Sequence, residues 1–167
     1  GHEAAYVLLD RAYRMMHGGP LPPVTKTAAG KPYFLRGGPH FSLTHTKTMA
    51  FCALSRQPVG VDAETVRPVR PLVAARTMNP PELAWLEAQE DPDRGFLTLW
   101  TAKEAWVKLT GEGLNGRLKQ VELTFGEAGM GVTGRAVRFY TRELEGTLVT
   151  ACLANEEDVR WTLLLAE

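Results

Sequence analysis

Two carboxylates stand two residues apart in Val59-Gly60-Val61-Asp62-Ala63-Glu64, and a third, Glu104, lies in Trp100-Thr101-Ala102-Lys103-Glu104-Ala105-Trp106-Val107-Lys108. In a strand, residues i and i+2 share a face, so Asp62 and Glu64 point the same way and Ala63 points into packing. Neighbouring carboxylates repel unless a cation neutralises them. Their oxygen donors suit magnesium, which often completes its shell with substrate phosphate. On a helix, Trp100, Glu104 and Lys108 fall at i, i+4 and i+8 and form one stripe. Glu104 can hold a metal or take a proton there, and Lys108 can contact a phosphate. Taken singly, none of these features decides function. An Asp-x-Glu on a strand is ordinarily a solvated face, and a Glu–Lys pair is ordinarily a surface pair worth a few tenths of a kcal/mol. Trp100 and Trp106 read most simply as core, and His45 as a polar loop residue.

The elements that must position these residues follow from periodicity. The sequence predicts a helix over 3–16, with Val7, Leu8, Ala12 and Met15 at helical spacing, ended by Gly18-Gly19-Pro20. A loop rich in Pro, Gly and Thr runs to about 40. Strands are expected near 49–55 and over 59–64, joined by a turn at Arg56-Gln57-Pro58. The proline-rich piece 65–71 reads as a loop or the start of a short helix. Asn79-Pro80-Pro81-Glu82 is a helix N-cap with proline in the first turn. That helix is expected to reach about 89. A longer helix follows over 94–110, ended by Gly111. Strands are expected over 119–125, 131–140, 147–154 and 158–166. Without regular βαβ alternation, the fold class is α+β.

The bulk composition is that of an ordinary globular domain: 44% hydrophobic, 23% charged, and equal numbers of Lys+Arg and Asp+Glu, 19 each, over 167 residues. The zero formal charge argues against a globally basic nucleic-acid binder. Cys52 and Cys152 each sit in an apolar run and read as buried free thiols, with no Cys/His cluster to suggest zinc. Reduced thiols fit a cytoplasmic setting. No segment approaches the roughly 18 apolar residues of a membrane helix, so no membrane partner is expected.

Together the motifs carry a resemblance. Gly60-Val61-Asp62-Ala63-Glu64 resembles the G-(I/V)-D-x-E signature of the 4'-phosphopantetheinyl transferase superfamily. The segment from Trp100 through Lys108 and on to Gly113 and Leu114 is similar to its second signature, W-(T/S)-x-K-E-(A/S)-x-x-K-x-x-G-x-G-L. Upstream, Gly30-Lys31-Pro32 and Phe41-Ser42-Leu43-Thr44-His45-Thr46 resemble segments of the surfactin-synthetase-activating subfamily. Asp10-Arg11-Ala12-Tyr13-Arg14 is similar to a helical element near that subfamily's N-terminus. All five occur in family order.

The resemblance implies an enzyme that moves the 4'-phosphopantetheine arm of coenzyme A onto a serine of an apo acyl or peptidyl carrier protein and releases 3',5'-ADP. It implies magnesium, or manganese, on Asp62, Glu64 and Glu104, with Glu104 also deprotonating the serine. Lys108 is expected on the diphosphate, stabilising the departing 3',5'-ADP. Arg14, Thr44 and His45 are expected at the 3'-phosphate, and Lys31 along the nucleotide. Lys103 is expected to brace the acid cluster. Such transfer needs charge neutralisation and in-line positioning more than covalent chemistry.

The family fold implied is two similar α+β halves about a pseudo-twofold axis, placed here at 1–59 (coenzyme A phosphate) and 60–167 (metal and catalysis). Ala63, Ser42 and Thr44 depart from the commoner family residues, and the last two are expected to alter coenzyme A affinity. The chain reads as a short form, with the first half truncated. Phosphate and metal residues within one chain predict a monomer. Arg67, Arg70 and Arg76 among Val66, Val69, Leu72 and Val73 suit an acidic helical carrier. The competing readings are a non-catalytic coenzyme A or nucleotide-binding relative of the same fold, and a scaffold that holds a carrier through the arginine segment alone.

Overall fold

The computed structural model describes residues 1–113, 118–154 and 159–164. Strand β5, Val59–Thr65, organises the molecule because both of its faces are covered. It pairs antiparallel with β9, Thr147–Leu153, which pairs in turn with β8, Arg138–Leu144, giving the order β5-β9-β8. Helix α4, Pro92–Thr110, crosses one face of this sheet. On the other face Val61, Ala63 and Val149 pack with Phe51 and Ala53.

The covering layer on that second face is the hairpin of β3, His40–His45, and β4, Ala50–Ser55. The Ser42 hydroxyl accepts a hydrogen bond from the Val61 backbone N–H at 3.0 Å and so fastens β3 to β5. Helix α1, His2–His17, lies outside β3 and β4. Its Leu9 is buried with Phe34 and Phe41. A short hairpin, β1 Val24–Lys26 with β2 Pro32–Phe34, lies in the stretch expected to be loop.

Beyond β5 come α2, Pro71–Thr77, and α3, Pro80–Glu87. The main core joins Met78, Leu86, Phe96, Leu97, Leu99 and Leu123, with Trp100 and Trp106 packed at its edge. Asn79 caps α3 as expected, in a reciprocal pairing with Glu82. Gly111 ends α4 in the left-handed conformation, φ 75°. A 3-10 turn at Leu118–Gln120 leads to the hairpin of β6, Leu123–Gly126, and β7, Gly129–Val132.

Several expectations are corrected. The predicted strand over 131–140 is interrupted, with β7 ending at Val132 and β8 starting at Arg138, because the chain reverses through a bridge between Val132 and Arg135. Residues 159–164 form no strand, and the remainder of the strand expected over 158–166 lies outside the described residues. The buried stripe of α1 is Ala5 and Leu9, while Val7 and Met15 are exposed, because the helix settles on β3 and β4 through the other side. Both cysteines are free, Cys152 buried and Cys52 half-buried, and burial pushes each thiol up to about 12. Among the described residues no helix is long and apolar enough to cross a membrane.

Candidate active site

The contact between β5 and α4 builds the site. Gly60 is the reason the two can meet, because a Cβ added there would lie 1.8 Å from the Ala105 carbonyl oxygen. Asp62 and Glu64 share the Gly60 face by strand alternation. Thr101, Glu104 and Lys108, at i, i+3 and i+7, share the facing side of α4. Thr101 confirms the seating: its Oγ1 lies 2.8 Å from Oγ1 of Thr150, the register partner of Asp62 on β9.

Asp62 is buried, and its Oδ1 accepts from Lys108 Nζ at 2.8 Å and from Thr44 Oγ1 at 3.3 Å. Its Oδ2 is buried with no hydrogen-bond partner among the described residues. Burial raises the Asp62 carboxyl above its ordinary value, a shift Lys108 only partly offsets. Glu104 is 6% exposed, and its carboxyl is pushed up to about 7, first by burial and then by the charge of Asp62. Glu64 adds to that rise and Lys108 opposes it, so all four groups share one electrostatic neighbourhood.

Glu64 is half-buried and its Oε2 accepts from Arg67 Nη1 at 2.7 Å. As they stand, the described residues include no group of three or more His, Cys, Asp or Glu side chains gathered tightly enough to hold a metal. The donor chemistry nonetheless fits a hard divalent cation. A buried carboxylate oxygen lacks a partner among the described residues, and the carboxyl of a second acid is raised first by burial and then by its acidic neighbours.

Beside Thr44 opens a cavity of about 150 Å3, lined by Tyr6, Lys26, Gly30, Pro32, Thr44 and His45 among others. His45 is exposed, and its Nδ1 lies 3.3 Å from the Thr46 carbonyl, so Nδ1 carries the proton in that bond. Thr44, expected on a phosphate, donates instead to Asp62 and joins the cavity to the acids.

Two residues expected at the nucleotide do not line this cavity. Lys31 turns away from the cavity, and its Nζ donates to the Leu109 carbonyl at 2.7 Å at the end of α4. A cation is favourable at a helix C-terminus, and burial lowers the Lys31 pKa. Arg14 pairs with Asp10 at 2.8 Å, about 12 Å along α1 from Tyr6 at 1.5 Å per residue.

Lys103 does not brace the acids. It is fully buried on the other side of α4 with Glu82, a residue that sequence reasoning used only as a helix cap. Lys26 and Tyr6 were also missed. Lys26 carries a faint signal, since it faces Pro32 across the β1–β2 hairpin.

An α+β chain with antiparallel sheets, and with buried acids and a lysine between strand and helix, defines a recognisable class. The holo-[acyl-carrier-protein] synthase of Neisseria meningitidis superposes with a TM-score of 0.50 over 59% of this chain and 98% of its own, at 18% identity. That of Thermotoga maritima gives 0.51 over 60% of this chain and 64% of its own, at 20% identity. At this identity the likeness concerns the fold. Residues 58–156 match the 4'-phosphopantetheinyl transferase superfamily, and the chain belongs to it.

Among curated relatives, the 4'-phosphopantetheinyl transferase gsp of Aneurinibacillus migulanus is 34% identical over 91 residues, 53% of this chain and 38% of its own. The transferase Sfp of Bacillus subtilis strain 168 is 32% identical over 78 residues, 46% of this chain and 35% of its own. HetI of Nostoc is 34% identical over 103 residues, 56% and 43% respectively. The chain therefore spans about two fifths of the length of these relatives.

Proposed function

We propose that this chain transfers the 4'-phosphopantetheine group of coenzyme A to a serine of an apo acyl or peptidyl carrier protein. The observation that carries the reading is the pair of buried acids, Asp62 and Glu104, with half-buried Lys108 between β5 and α4. Membership of the transferase superfamily supports it.

Asp62, Glu64 and Glu104 are the residues that would hold magnesium or manganese. Bound there, the cation supplies charge neutralisation beside a diphosphate. Glu104 accepts the proton of the serine hydroxyl, for which a carboxyl poised near neutrality is well matched. The serine oxygen forms a bond to the β-phosphorus as the bridging bond to the α-phosphate oxygen breaks. Lys108, already directed at Asp62, neutralises the charge left on the departing 3',5'-ADP. His45 and Thr44 line the nucleotide cavity.

On this reading residues 1–59 bind the nucleotide and 60–167 carry the acids, within one monomer acting in the cytoplasm. Incubation with coenzyme A, magnesium and an apo carrier protein tests it. A carrier gaining the mass of one phosphopantetheine is the expected result. Nucleotide binding without transfer would overturn the reading in favour of a binding module.

A further inference from the structure

We propose that Lys26 is the cation that receives the 3'-phosphate of the nucleotide, where the family resemblance places Arg14 beside Thr44 and His45. The inference rests on the functional reading above and adds a residue to it. Lys26 and Pro32 are register partners across the β1–β2 hairpin, and both line the cavity. Gly30 and Pro32 line it from either side of Lys31, while Lys31 itself is not among the lining residues. Its ammonium is held on the Leu109 carbonyl, with its Cδ against Gly111. Recruiting Lys31 would take its ammonium off the Leu109 carbonyl at the end of α4. Arg14 is committed to Asp10 two turns along α1.

Lys26 is exposed, and no ion pair engages it among the described residues. The described lining of the cavity contains no acid, so Lys26 gives it positive character. A compact ammonium binds phosphate as a point charge, and the bond is charge-assisted. Tyr6 supplies an aromatic wall. Thr44 lines the cavity and donates to Asp62, which also holds Lys108. One anionic end of a ligand can thus lie at Lys26 while another faces Lys108.

The test is calorimetric titration of coenzyme A, and of dephospho-coenzyme A, which lacks the 3'-phosphate. The proteins are the unaltered chain, Lys26→Ala and Lys31→Ala. Lys26→Ala is expected to weaken coenzyme A at least about tenfold and dephospho-coenzyme A less than about twofold. Lys31→Ala is expected to lower the melting temperature and to treat the two ligands alike. The inference falls if Lys26→Ala binds coenzyme A normally, if it weakens both ligands equally, or if the phosphate-selective loss appears in Lys31→Ala. An unaltered protein that folds yet binds neither ligand overturns the functional reading itself, a result distinct from binding that is indifferent to Lys26.

Discussion

Lys103 and Glu82 form an ion pair, Nζ to Oε1 at 2.5 Å, with neither side chain exposed. The lysine also donates to the carbonyls of Thr77 and Leu118. The glutamate accepts from the backbone N–H groups of Asn79 and Leu123. One pair therefore satisfies backbone groups at the end of α2, the cap of α3, the 3-10 turn and β6. Removing one partner leaves the other charge buried, which costs about 3–5 kcal/mol. Lys103→Met is expected to lose that much in urea denaturation, and a loss below about 1 kcal/mol would show that the pair is solvated.

That arrangement marks the limit of sequence reading here. Neighbours on a helix point about 100° apart, so Glu104 can face β5 only if Lys103 faces elsewhere, and nothing local says where. Asp62, Glu64, Glu104 and Lys108 were legible because strand and helix periods are local rules. The caps at Asn79 and Gly111 were legible for the same reason. The β1–β2 hairpin was not, since its strands are three residues long and β2 begins at Pro32. Helix α2 hid behind the prolines of 68–71. The partners of Lys31 and Arg14 depend on which acceptor a long side chain reaches in three dimensions, and no spacing encodes that.

The closeness of β5 to α4 makes Gly60 the steric keystone of the site. An alanine there would place its Cβ 1.8 Å from the Ala105 carbonyl and 2.6 Å from the Leu109 nitrogen, both backbone atoms that cannot swing aside. Gly60→Ala is expected to cost at least about 3 kcal/mol, the upper range of overpacking. It should also part Asp62 from Glu104 and so reduce transfer in whatever fraction folds. A variant with an unchanged urea midpoint would refute the contact.

Glu104 links stability to pH in a direction opposite to that of a salt-bridged acid. Its folded value is raised from 4.5 to about 7. The unfolded chain therefore releases the proton more readily than the native protein does. Stability held by protonated Glu104 is complete below about pH 4.5 and is lost as pH rises through about 7. That gap corresponds to about 3–4 kcal/mol at about 1.4 kcal/mol per unit. Glu104→Gln is expected to melt higher than the parent at pH 8 and close to it at pH 4, while transfer falls at least about a hundredfold. Magnesium should raise the parent's melting temperature at pH 8 and do less for the variant. Equal melting curves at pH 8 would show that the carboxylate is not desolvated.

Helix α2 presents a small surface of mixed character, where the proposed function would seat a carrier. Leu72 is 58% exposed and Val73 38%, and Arg70 and Arg76 flank them. Val66 and Val69, by contrast, pack against the main core, so the outward apolar area is confined to α2 itself. Exposed apolar side chains rimmed by arginine suit an acidic amphipathic helix. Leu72→Asp puts a like charge and a polar group at the centre of that surface without touching Asp62, Glu104 or Lys108. It is expected to raise the KM for an apo carrier about tenfold or more, to leave coenzyme A affinity unchanged, and to keep the parent's melting temperature. Arg70→Glu should act in the same direction and lose more of its effect in high salt, because long-range attraction is screened there. Steady-state kinetics at two ionic strengths decides the matter: carrier KM values that match the parent in both variants would place the carrier on another face.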